Sequence, residues 1–62
     1  MCQSNAYLEH DGEEELILED VGLIKPEGDK LLLISIFGEE KLVDAEIKAI
    51  DLLHHKIVLG RI

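Results

Sequence analysis

The chain has 62 residues, which is room for one domain, taken here as residues 1–62. Asp and Glu number 14 against 6 Lys and Arg, a formal net charge of -8, so the average field repels phosphate backbones and attracts cations; nucleic acid is disfavoured as a partner. A chain this short buries only about 60% of the surface its unfolded form exposes, and its single cysteine rules out an intrachain disulfide, so a metal, a partner subunit or both are expected to supply the missing stability.

The first strand-like piece runs from Gln3 to Glu9, with Ala6 and Leu8 on the opposite side from Tyr7. His10-Asp11-Gly12 follows, and its Asp-Gly pair is a hairpin signal because both residues accept positive φ. Glu15 to Glu19, around Leu16-Ile17-Leu18, and Val21 to Ile24 read as two further short strands. Lys25-Pro26-Glu27-Gly28-Asp29 places proline and glycine two apart, as a tight turn requires. Asp29 to Phe37 is the longest apolar stretch and is expected to be the central strand, ended by Gly38.

The segment after Lys41 is ambiguous. Val43, Ile47, Ile50 and Leu53 fall at helical spacing, yet Val43 to Ala49 alternates apolar and polar without a miss. The slip at Ala49-Ile50 is what a β-bulge produces, and no N-cap precedes Leu42. Two strands, or one bent strand, are therefore preferred to a helix. His54-His55-Lys56 forms a break, and Lys56 to Ile62 is a last apolar strand. Many short strands separated by turns define an all-β chain, a small barrel or a sandwich. The longest apolar run, Leu31-Leu32-Leu33-Ile34, is far short of the roughly 20 residues a membrane span needs. The N-terminus lacks the basic and apolar regions of a secretory leader, and an unpaired thiol fits a reducing compartment, so a cytoplasmic protein without membrane contact is expected.

Cys2 is the residue with the most chemistry. A thiol beside the chain start can act with the α-amino group and the first backbone amides as a compact nitrogen-and-sulfur chelate. That donor set suits Ni(II) or Cu(II) ahead of Mg(II) or Ca(II). By position and count alone, a lone cysteine is more often a small buried apolar residue than a ligand.

Met1-Cys2-Gln3, Ala6-Tyr7-Leu8, the Glu19-Asp20-Val21 corner, the Glu27-Gly28-Asp29 turn, Leu33 to Phe37 with Gly38, Ile50-Asp51-Leu52 and Lys56-Ile57-Val58-Leu59 occur in an order that resembles the CooT family of small nickel-binding proteins, over essentially the whole chain. The resemblance implies a small SH3-like β-barrel that forms a homodimer and binds Ni(II) through Cys2. It further implies delivery of nickel during maturation of carbon monoxide dehydrogenase; because relatives extend beyond organisms that use that enzyme, the client is left open as a nickel enzyme. One amine and one thiolate per chain are too few for a closed site. Two chains about a two-fold axis supply four donors, an N₂S₂ set suited to square-planar Ni(II). Removal of Met1 would make the Cys2 amine and thiolate a five-membered chelate; retention would add the Cys2 amide to the set.

Other residues point less clearly to chemistry. His54 and His55 are adjacent, and neighbouring side chains on extended backbone diverge, so a solvated turn pair outranks joint ligation. His10 is expected to be an exposed hairpin residue. Glu13-Glu14-Glu15 and Glu39-Glu40 read as solvated charge on strand edges, which discourages edge-to-edge pairing. Tyr7 and Phe37 are too few for a base-stacking platform and are assigned to core or interface packing. No catalytic triad, phosphate-cradling glycine loop or Cys-x-x-Cys pair is present. The expected function is a nickel carrier or metallochaperone, not an enzyme. The alternatives are a small-barrel RNA-binding module and a protein-interaction module whose cysteine is incidental.

Overall fold

The computed structural model describes residues 3–61. Six strands account for most of them: β1 (Ser4–His10), β2 (Glu13–Glu27), β3 (Lys30–Ser35), β4 (Glu40–Val43), β5 (Ala45–Asp51) and β6 (Lys56–Arg61). No helix occurs among the described residues. The strands form one sheet in the order β4-β3-β2-β1-β6-β5, curled into a half-barrel in which β5 comes back near β3.

The β1–β2 hairpin forms where the Asp-Gly pair requires it. Asp11 and Gly12 both take positive φ, 53° and 80°, the geometry that matches strand twist in a two-residue turn. At the next turn Gly28 takes φ 64°, but the turn is shorter than expected, since Lys25, Pro26 and Glu27 still belong to β2. Pro26 is tolerated there because β1 pairs with β2 only as far as Val21, leaving beyond it an edge that needs no amide donor.

Three expectations are corrected. The pieces Glu15 to Glu19 and Val21 to Ile24 are one strand, bent at Asp20, whose φ is 54°; an acidic side chain enters this region at lower cost than most. The bend lets the first half of β2 pair with β1 and the second half with β3. The apolar strand β3 is not central but second from the edge. Parallel pairing of β1 with β6, from Asn5↔Lys56 to Glu9↔Gly60, joins the two ends of the chain and puts β1 and β2 in the middle. The ambiguous segment is indeed strand, split at Asp44 into β4 and β5 on opposite edges of the sheet. Its bulge lies between Ile47 and Ala49, at Lys48, and not at Ala49-Ile50.

The core sits on the concave face. Leu33 and Leu59 are fully buried, joined by Ala6, Leu18, Leu31, Ala45 and Ile57. Leu8, Ile17, Val21, Ile24 and Val43 close its margins. Burying each large aliphatic side chain stabilises by about 1.5–3 kcal/mol. With one layer of strands and no helix to cover it, the concave face stays open along β5, where Ile47 and Ile50 remain half exposed.

Candidate functional site

Cys2, the expected ligand, lies outside the described residues; the first strand begins at Ser4, two positions later. The described residues define the surroundings of the start of β1. Ser4 pairs with Val21 on one side, and Asn5 pairs with Lys56 on the other. The Asn5 amide donates to the His55 carbonyl at 3.0 Å, and the Asn5 Oδ1 accepts from the Asp20 amide at 3.1 Å. Asp20 in turn accepts from the Ile36 amide at 2.8 Å. The β2 bend, the turn after β3 and the β5–β6 turn therefore gather at the end of the sheet where β1 starts. These bonds satisfy backbone groups that regular ladders leave unpaired at a bulge.

The β5–β6 turn is organised by Asp51. Its Oδ1 accepts from the Leu53 and His54 amides, each at 3.1 Å, and its Oδ2 lies 2.7 Å from His54 Nδ1. The side-chain bond with His54 is the main reason the Asp51 carboxyl titrates below its ordinary 3.8, and the backbone bond from His54 adds to it. One imidazole nitrogen is thus committed to a carboxylate. His55 takes φ 54° and passes its carbonyl to Asn5. His54 and His55 are a turn pair with separate partners, as expected. His10 is exposed, 3.5 Å from Asp11. Among the described residues, no three His, Cys, Asp or Glu side chains gather as a metal site.

The remaining charge is largely cross-strand. Lys48 pairs with Glu9 and Lys56 with Glu14 over the outer face of β1 and β6. Lys56 Nζ also stands 5.4 Å from the centroid of the half-buried Tyr7 ring, a cation–π distance. The bond to Glu14 holds the Lys56 ammonium above its ordinary 10.5, despite some desolvation acting the other way. Lys25 and Lys30 lie 3.5 and 3.6 Å from Glu27 and Asp44. Phe37 is not a core residue: it is 80% exposed, in the turn after β3. It borders a shallow hollow of about 290 Å³ lined by Leu16, Leu18, Asp20 and Glu39.

Sequence reasoning missed two residues that shape this end. Ser35 is buried, and its Oγ accepts from the Phe37 and Glu39 amides at 3.1 Å each. Asn5 bridges β1 to the bend at Asp20. Both are short polar residues beside a turn, the one signal that would have marked them.

These features define a class: a small curled all-β protein whose first and last strands pair in parallel and in which the start of β1 meets a strand bend and two turns. Among known proteins, the chain matches the family model of the CO dehydrogenase accessory protein CooT over residues 1–60. It is 41% identical over 59 residues to an uncharacterized protein of Methanocaldococcus jannaschii, covering 95% of this chain and 96% of that one. A crystal structure assigned to CooT of Carboxydothermus hydrogenoformans superposes with a TM-score of 0.91 at 39% identity, covering 98% of each chain. The chain belongs to the CooT family of CO dehydrogenase accessory proteins.

Proposed function

We propose that this protein is a nickel carrier. In this reading residues 1–62 form one SH3-like barrel domain that associates as a homodimer inside the cell. Ni(II) is held by the Cys2 thiolates of the two copies and passed to carbon monoxide dehydrogenase, or to another nickel enzyme, during its maturation. The protein itself catalyses no reaction. The observation that carries this reading is the CooT family match across residues 1–60, a span that contains the one cysteine.

The chemistry supports it. Thiolate is the binding form, and a free thiol has a pKa of about 8.5, so at neutral pH the ion must displace a proton and affinity must fall with pH. A net charge of -8 favours the cation electrostatically. The second reading, an RNA-binding module, ranks lower because Lys25, Lys30, Lys48 and Lys56 each stand beside a carboxylate, not in a basic stripe.

Nickel titration of the wild type beside Cys2→Ala, followed by ultraviolet absorption and native mass spectrometry, tests the proposal. The expected result is a thiolate-to-metal charge-transfer band, one ion per two chains, and loss of both in the variant. One ion per chain, with dimerisation indifferent to nickel, would refute the bridging arrangement. Steep salt dependence of RNA binding, unchanged by Cys2→Ala, would favour the second reading.

A further inference from the structure

Strand β3 is apolar on both faces. Leu31 and Leu33 point inward and are buried, whereas Leu32 and Ile34 lie on the convex face. The register places Leu32 between Lys25 on β2 and Leu42 on β4, and Ile34 between Leu23 and Glu40. Residues directly opposite on paired strands share a face. The outside of β2-β3-β4 is therefore an apolar patch, in which Leu23 and Leu42 are 51% and 55% exposed. The outside of β1 and β6 is built differently, with Tyr7 under Lys56 and the Lys56–Glu14 and Lys48–Glu9 pairs crossing the strands. One half of the convex surface suits water. The other has the composition of a strand covered on both sides.

The patch is also self-complementary in charge. Its six positions form two rows of three, Lys25-Leu32-Leu42 and Leu23-Ile34-Glu40, so Lys25 and Glu40 occupy diagonally opposite corners. A second copy turned about the other diagonal, from Leu23 to Leu42, sets Lys25 of each copy against Glu40 of the other, with the apolar residues packed between. This is the symmetry an isologous contact requires. Lys25 reaches Glu27 on its own strand at 3.5 Å, an exposed pair weak enough to be exchanged. Continued past Leu23, the same diagonal runs toward the Val21–Ser4 pair at which β1 begins.

We propose that the convex face of β2-β3-β4, centred on Leu32 and Ile34, is the two-fold contact of the homodimer. This rests on the homodimer read above and names its surface; it also brings the two β1 starts toward one axis.

Sedimentation equilibrium of the full chain, with and without Ni(II), tests it. The wild type is expected to be dimeric at micromolar concentration, and Leu42→Lys to raise the dimer Kd at least about tenfold, the scale of one lost anchor. Lys25→Glu and Glu40→Lys should each weaken the dimer, and the double exchange should restore it; such rescue isolates the pairwise term and does not arise from general misfolding. Leu53→Lys, at an 87% exposed residue in the β5–β6 turn, should leave the dimer intact. A monomeric wild type, a Leu42→Lys dimer of unchanged Kd, or a double exchange no tighter than either single would each overturn the proposal. The metal reading fails separately: if nickel uptake ignores Cys2→Ala, the carrier role is lost whatever Leu42→Lys does. If Leu42→Lys stays dimeric while nickel binding depends on Cys2, only the face is wrong.

Discussion

Ser35→Ala tests how the chain-start end of the sheet is held. The side chain is buried, and its oxygen accepts two amide protons, from Phe37 and Glu39, at 3.1 Å. A net hydrogen bond is worth about 0.5–1.5 kcal/mol, so the pair sums to about 1–3 kcal/mol. The turn is open on one side, since Phe37 is 80% exposed, and water can replace part of the loss; the lower part of the range, about 1–2 kcal/mol, is expected. Stability at about 0.05–0.15 kcal/mol per residue comes to about 3–9 kcal/mol for 62 residues, so the change is a sizeable fraction. It corresponds to a fall in Tm of about 4–16 °C. Urea unfolding at fixed protomer concentration measures the total, and hydrogen exchange locates it. The Phe37 and Glu39 amides should lose protection more than the rest of the sheet. A cost below about 0.5 kcal/mol, the range of neutral surface changes, with both amides still protected, would refute the assignment of Ser35 as the anchor of that turn.

Leu33→Ala should cost about 2–5 kcal/mol in urea unfolding, because the side chain is fully buried and its cavity cannot collapse freely, while Leu53→Ala should stay within about 0.5 kcal/mol; equal effects would mean the core is misplaced. At Gly60 an added methyl group would meet Cγ and Cδ of Lys48, near the root of that side chain, so Lys48 must change rotamer and leave Glu9. Gly60→Ala should therefore cost more than the roughly 0.2–1 kcal/mol of the exposed ion pair alone, and should cost less in a Lys48→Ala background, where Cγ and Cδ are gone; an equal cost in both would mean the contact is not with Lys48. The Lys56 ammonium is held above 10.5 chiefly by Glu14. Its contribution is therefore complete below pH 10.5 and is lost as pH rises through the elevated folded value. Lys56→Met should flatten that part of the alkaline stability profile, as urea unfolding across the alkaline range would show.

Much of the fold was legible in the residues. The Asp11-Gly12 hairpin, the Gly28 turn and the all-β class follow from local chemistry, since only certain residues accept positive φ and strict alternation has a period that helices do not share. The order of short pieces also carried the family resemblance. The bulge in β5 was readable as a flaw in alternation, though one residue late, whereas the break at Asp44 falls inside a run that alternates without a miss.

The tertiary structure decided which pieces are neighbours. Local signals could not place the longest apolar run away from the centre of the sheet, because that follows from the parallel pairing of β1 with β6, a contact between opposite ends of the chain. Nor could they merge Glu15–Glu19 with Val21–Ile24, since the bend at Asp20 is stabilised by Asn5 and Ile36, both distant in sequence. The doubled apolar character of β3 was visible as Leu31-Leu32-Leu33-Ile34, but only the register shows that Leu32 and Ile34 face outward beside Leu23 and Leu42. Backbone propensity acts over a few residues and is written along the chain. Pairing, burial and shared surfaces depend on contacts between distant residues, and only the folded arrangement brings those together.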